Sequence, residues 1–148
     1  MVAQGNCGPV THKGRIRHAY DFAMEVGRTV TAAREGVVIS AVEHHPEGTN
    51  NVAETNLVEV LHADGTVGGY LHLRRDGALV STGEAVRVGQ PLGVSGRSGY
   101  TGPDPHLHFH VWGCARDCDT VPVNFRNAVP VAPYGPQMGT TYTAGPFG

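Results

Sequence analysis

Long apolar runs are missing from this 148-residue chain. No stretch approaches the roughly 18 apolar residues that a membrane-spanning helix needs, so no transmembrane helix is expected. A basic stripe is missing as well. The formal charge of −2 and an isoelectric point near 6.5 leave no electrostatic footprint for a nucleic-acid partner. Aromatic residues are scarce at 7%, and no segment of useful length repeats its apolar residues at the helical period. The first residues, Met-Val-Ala-Gln-Gly-Asn-Cys, lack the basic and apolar regions of a signal peptide. That leaves a cytoplasmic protein or a mature form whose leader is gone. Only three cysteines occur, so at least one is unpaired within the chain. Cys114 and Cys118 flank a short loop and can form a local disulfide in an oxidising compartment. A metal on this C-x3-C pair is the weaker alternative, because no further ligands sit nearby.

What the chain does have is glycine, 21 residues of it, and 10 prolines. Many short strands and turns follow from that, and an all-β fold in one domain. Residues 1–20 read as irregular. Strands are expected at 21–24, 29–33, 36–42, 56–62, 67–73, 85–88, 91–95 and 106–112, with a last short one at 121–125. Ala-Asp-Gly-Thr at 63–66 joins two of them as a hairpin. The polar loop at 44–51 is long enough to wall a groove. Gly27-x-x-Val30-x-Ala32-x-x-x-Gly36 is echoed by Gly83-x-x-Val86-x-Val88-Gly89-x-Pro91, which fits two related motifs in a β-sandwich. From residue 130 onward, four prolines and four glycines among 19 residues read as an extended tail. A domain over 1–128 and a Pro/Gly-rich tail over 129–148 are therefore expected.

The chemistry concentrates in histidine. On a strand at 106–112, His106, His108 and His110 face one way while Leu107, Phe109 and Val111 face the other. Tyr70-Leu71-His72 brings another imidazole, and Asp21 a carboxylate preceded by His12 and His18. Imidazoles plus one carboxylate form the donor set of a catalytic zinc site. His44, His45 and His62 read as solvated or structural residues. His110 shares the site face and is a candidate to hydrogen-bond a ligand.

Ordered segments then build a resemblance over about residues 10–125. They are Ala-Tyr-Asp-Phe-Ala-Met at 19–24, Gly-Arg-Thr-Val-Thr-Ala-Ala-Arg-Glu-Gly-Val-Val at 27–38 and Tyr-Leu-His-Leu at 70–73. Val-Arg-Val-Gly-Gln-Pro-Leu-Gly at 86–93, Gly-Arg-Ser-Gly at 96–99 and Gly-Pro-Asp-Pro-His-Leu-His-Phe at 102–109 complete them. Together they resemble the lysostaphin/LytM-type (M23) zinc metallopeptidases. The resemblance implies an antiparallel β-sandwich of the duplicated hybrid motif type, with long loops around a groove. It implies Zn2+ as cofactor, Asp21 and His108 as ligands, and His72 and His106 as unliganded catalytic imidazoles. The third ligand departs from the common spacing, since the position four residues before Asp21 is Arg17. His12, in Thr-His-Lys-Gly, resembles a longer-gap variant. It is preferred to His18, which strand alternation turns away from the face of Asp21.

The implied activity is endopeptidase cleavage of peptidoglycan stem peptides or cross-bridges by a monomeric, secreted, periplasmic or envelope-associated protein. Two other classes compete. One is a catalytically inactive relative that regulates a cell-wall amidase. The other is a carrier or phosphotransfer module of hybrid-motif type, though no lysine-bearing swinging-arm hairpin is present.

Overall fold

The computed structural model describes residues 1–145, so the last three residues of the expected tail, 146–148, lie outside the described residues. All regular structure in it is β apart from two single 3-10 turns, at Gly14–Ile16 and Val52–Glu54. Twelve strands run β1 (Val2–Gln4), β2 (Tyr20–Ala23), β3 (Thr29–Thr31), β4 (Gly36–Val42), β5 (Leu57–Leu61) and β6 (Val67–Leu71). They continue as β7 (Leu73–Ala78), β8 (Ala85–Val86), β9 (Pro91–Ser95), β10 (His106–Trp112), β11 (Ala128–Val129) and β12 (Thr143–Ala144). Every pairing is antiparallel.

A seven-stranded sheet in the order β1-β2-β10-β6-β5-β4-β8 carries most of the chain, and β3-β9-β7 form a second sheet. Between them lies the apolar core. Val38, Val58, Val60 and Tyr70 of the large sheet and Val30, Leu73 and Leu92 of the small one are buried in it. The two sequence echoes sit in matching turns, with φ of 91° at Gly27 and 92° at Gly83. Their strands pair crosswise, β3 with β9 and β8 with β4. Each motif thus completes the other's sheet.

The alternation within β10 sorts the large sheet into two faces. Leu107, Phe109 and Val111 join Tyr20, Val2 and Tyr70 in the buried cluster. Register places Asp21 opposite His108, and Gln4 opposite Asp21, so all three share the other face. Leu71 and Gly69 lie across from His108 and His110, with Leu57 and Glu59 beyond them. Those outer positions are half-buried.

Four expectations need correction. Residues 1–20 are not wholly irregular, because β1 forms by pairing with β2. The expected strand 67–73 is two strands in different sheets, broken at His72, whose φ is +68°. Residues 121–125 form no strand. Val121 donates to the Val111 carbonyl at 2.8 Å, but Pro122 has no N–H and the ladder stops. The described residues from 130 to 145 do not run out as an extended tail. β12 pairs with β11, the Val2 N–H donates to the Thr140 carbonyl at 3.0 Å, and Tyr142 packs against the core.

Candidate metal centre

Two strands and one loop meet at a single cluster. Asp21 is on β2, His108 opposite it on β10, and His12 on the irregular segment between β1 and the first 3-10 turn. His108 Nδ1 lies 2.9 Å from Asp21 Oδ1, and His12 Nε2 lies 3.2 Å from Asp21 Oδ2. One donor atom from each residue falls within 4.8 Å of the others. All three residues are buried.

Hydrogen bonds to carbonyl oxygens fix the ring nitrogens. A carbonyl only accepts, so the nitrogen facing it carries the proton. His12 Nδ1 donates to Gly5 O at 2.8 Å, His72 Nδ1 to Ser98 O at 2.8 Å, and His106 Nδ1 to Asp104 O at 2.9 Å. The neutral form of each ring therefore keeps its lone pair on Nε2. His12 Nε2 is buried near Asp21 but off the line of a hydrogen bond, so its lone pair has no proton to accept. His108 is turned the other way, with Nδ1 towards Asp21 and Nε2 3.1 Å from His110 Nδ1.

A divalent cation fits this donor set. Three buried ligands, one of them anionic, with an orphaned imidazole lone pair among them, match a tetrahedral site that keeps a fourth position open. The electrostatics agree. Burial pushes the Asp21 carboxyl up, but contacts with His108 and His12 and the nearby His106 outweigh it and hold its pKa well below the usual range. Burial lowers His72 to about 4 and His110 to about 3, so both rings are neutral near pH 7.

His72 and His106 stand beside the ligands. Their rings meet edge to face with centroids 4.8 Å apart, and His106 Nε2 is 3.6 Å from Asp21 Oδ1. The left-handed backbone at His72 follows from its place where the chain leaves one sheet for the other. The loop before β10 is tied to the expected groove wall: Gly48 N–H donates to Arg97 O at 2.9 Å and Gly102 N–H to Asn50 Oδ1 at 3.0 Å. A cavity of about 780 Å³ lies on the opposite face, against Phe109, Val111 and Phe125, and is lined by none of these residues.

The structure thus brings together His12, Asp21, His72, His106 and His108. It places His18 elsewhere: its backbone N–H binds Thr120 Oγ1 at 3.1 Å, and it is no member of the metal-ligand group. His44 and His45 lie against one another with their rings tilted, 4.0 Å between centroids, in the polar loop. His62 Nδ1 donates to Glu35 O at 2.7 Å, a structural bond. Cys114 and Cys118 form a disulfide, and Cys7 is free and exposed. Sequence reading missed Gln4, whose amide nitrogen donates to Asp21 Oδ2 at 2.9 Å. No local pattern announces it.

A buried His-Asp-His group with two further imidazoles beside it is a mononuclear metal-dependent hydrolase type of site. The comparisons make the class specific. The model of peptidase family M23 matches residues 15–124, and the chain belongs to that family. It is 35% identical over 114 residues to the peptidoglycan DD-endopeptidase ShyC of Vibrio cholerae, covering 76% of this chain and 24% of that protein. With lysostaphin of Staphylococcus staphylolyticus it shares 33% identity over 102 residues, 68% of this chain and 19% of that one. The chain spans about a quarter of the length of the curated relatives it matches. Among solved structures, the catalytic domain of lysostaphin from Staphylococcus simulans superposes with a TM-score of 0.58 at 26% identity, covering 79% of this chain and 80% of that one. A zinc-containing peptidase from Vibrio cholerae gives 0.55 at 33% identity, over 75% and 32% of the two chains.

Proposed function

We propose that this chain is a zinc-dependent endopeptidase that hydrolyses peptide bonds in bacterial peptidoglycan, acting outside the cytoplasm. His12, Asp21 and His108 hold the zinc, and His72 and His106 carry the proton transfers. One observation carries the reading: two buried or half-buried imidazoles, each with Nδ1 spent on a carbonyl, present Nε2 beside the His-Asp-His group.

Zinc supplies Lewis acidity towards the scissile carbonyl and lowers the pKa of attacking water. The chain's own groups do the rest. The low pKa of His72 keeps its Nε2 unprotonated near neutrality and able to take the water's proton. Once protonated, a ring of this pair becomes a donor to the tetrahedral oxyanion or to the leaving amine. Anchorage of Nδ1 stops either ring from turning away during the transfer. The similarity to peptidoglycan endopeptidases supplies the substrate class. The Cys114–Cys118 disulfide supports an oxidising location. Every expected donor is present, so neither the inactive-regulator nor the carrier reading is favoured by a specific observation.

Product analysis tests the reaction type. Digestion of purified peptidoglycan should release fragments with new amino termini inside the peptide. Fragments with every peptide bond intact, or none at all, would reject the endopeptidase reading.

A further inference from the structure

Strand β1 ends at Gln4, and Gln4 and the following Gly5 both reach the candidate ligands from outside the residues matched by the family model. Gly5 O accepts the Nδ1 proton of His12. Gln4 is buried, and its carboxamide makes all four hydrogen bonds it can make. Oε1 accepts from Val10 N–H at 2.9 Å and from Thr11 N–H at 3.2 Å. Nε2 donates to Thr11 Oγ1 at 2.8 Å and to Asp21 Oδ2 at 2.9 Å. Two backbone donors at one end settle which atom is oxygen, so the end facing Asp21 is the donor.

The surrounding chain is shaped for this side chain. A Cβ on Gly8 would stand 2.2 Å from Gln4 Cγ, so the loop closes over Gln4 only with glycine there. Asp21 and His12 both need such support. A carboxylate rotates over a broad, two-fold torsional well unless hydrogen bonds fix it. His12 sits on irregular chain, and no ladder sets its distance from the sheet.

We propose that Gln4 is a positioning residue of the metal centre, a clamp that sets the rotation of the Asp21 carboxylate and holds the loop carrying His12 against the sheet. The proposal rests on His12, Asp21 and His108 being the metal ligands. Losing an outer-sphere partner of this kind weakens metal binding by about 10- to 100-fold.

The test uses the full chain with Gln4→Met, which keeps length and removes donor and acceptor. Zinc affinity is measured by competition with a chromophoric chelator, and coordination geometry by the visible spectrum of the cobalt-loaded protein. Zinc should bind about 10- to 100-fold more weakly, and the cobalt bands should change. Gly8→Ala attacks the same clamp from the loop side and should act in the same direction; it decides the matter if Gln4→Met does not fold. A merely structural role would lower the melting temperature of the metal-free protein yet leave zinc affinity and the cobalt spectrum at parental values. That result overturns the clamp. A parent protein that binds no zinc would instead overturn the ligand assignment beneath it.

Discussion

His110 Nδ1 lies 3.1 Å from His108 Nε2, on the side of the His108 ring away from Asp21. A neutral imidazole that gives the lone pair of Nδ1 to a cation must carry its proton on Nε2, and His110 is there to accept it. The site is built for that ring: a Cβ on Gly69 would stand 2.6 Å from His110 Nε2. Replacing the acceptor should therefore weaken the metal site although no ligand is replaced. His110→Leu is expected to lose about 10- to 100-fold in zinc affinity, while His110→Gln, which keeps an acceptor, should recover most of it. Equal affinities for the two variants by chelator competition would contradict this role.

His72→Ala and His106→Ala should separate metal binding from turnover. Both rings stand beside the proposed ligands, and neither is itself assigned as one. Each variant should retain zinc by elemental analysis and lose about a hundred- to a thousandfold in turnover of peptidoglycan. Loss of zinc from the His106 variant would exchange its role with that of His108.

Acid should weaken the metal-free protein. Folded, His72 titrates at about 4 and His110 at about 3, against about 6.5 for an unperturbed imidazole. Below pH 6.5 the unfolded chain binds protons that the folded one refuses, so stability falls as pH drops from about 6.5 towards 4. Asp21 adds to this lower down, since a depressed carboxylate loses its stabilising contribution as pH falls below its unfolded value. Thermal unfolding of metal-free protein at about pH 7.5 and about pH 5 reads the slope directly. A midpoint unchanged or raised at the lower pH would contradict it.

His12→Ala and His18→Ala give opposite outcomes for metal retention. The first removes a buried nitrogen 3.2 Å from Asp21, the second a ring outside the cluster. Zinc should be lost in the His12 variant and kept in the His18 variant. The reverse pattern would move the ligand to His18.

Legibility of the site in the sequence followed its periodicity. β10 alternates without a break, so the common face of His106, His108 and His110 could be read from residue type alone. The 63–66 hairpin was equally readable, because Asp-Gly dictates the turn and Gly65 has a φ of +85°. Three features were not readable. β1 is three residues long and exists because β2 offers a free edge. The change of sheet at His72 depends on a left-handed backbone that a histidine does not advertise. The fold-back after Val129 is hidden under a proline- and glycine-rich composition, because Tyr142 finds its packing partners only in the assembled core. Gln4 belongs with these. Its partners, Val10, Thr11 and Asp21, meet only after β1 and β2 have paired.

On the proposed assignment, hydrolysis depends on a metal held by His12, Asp21 and His108. Release of soluble peptide fragments from purified peptidoglycan, followed before chelation, after chelation and after zinc is returned, tests it most directly. The active protein should carry about one zinc per chain, release nothing once the metal is stripped, and recover the original rate when zinc is added back. Metal-free protein that hydrolyses peptidoglycan at the original rate would contradict it.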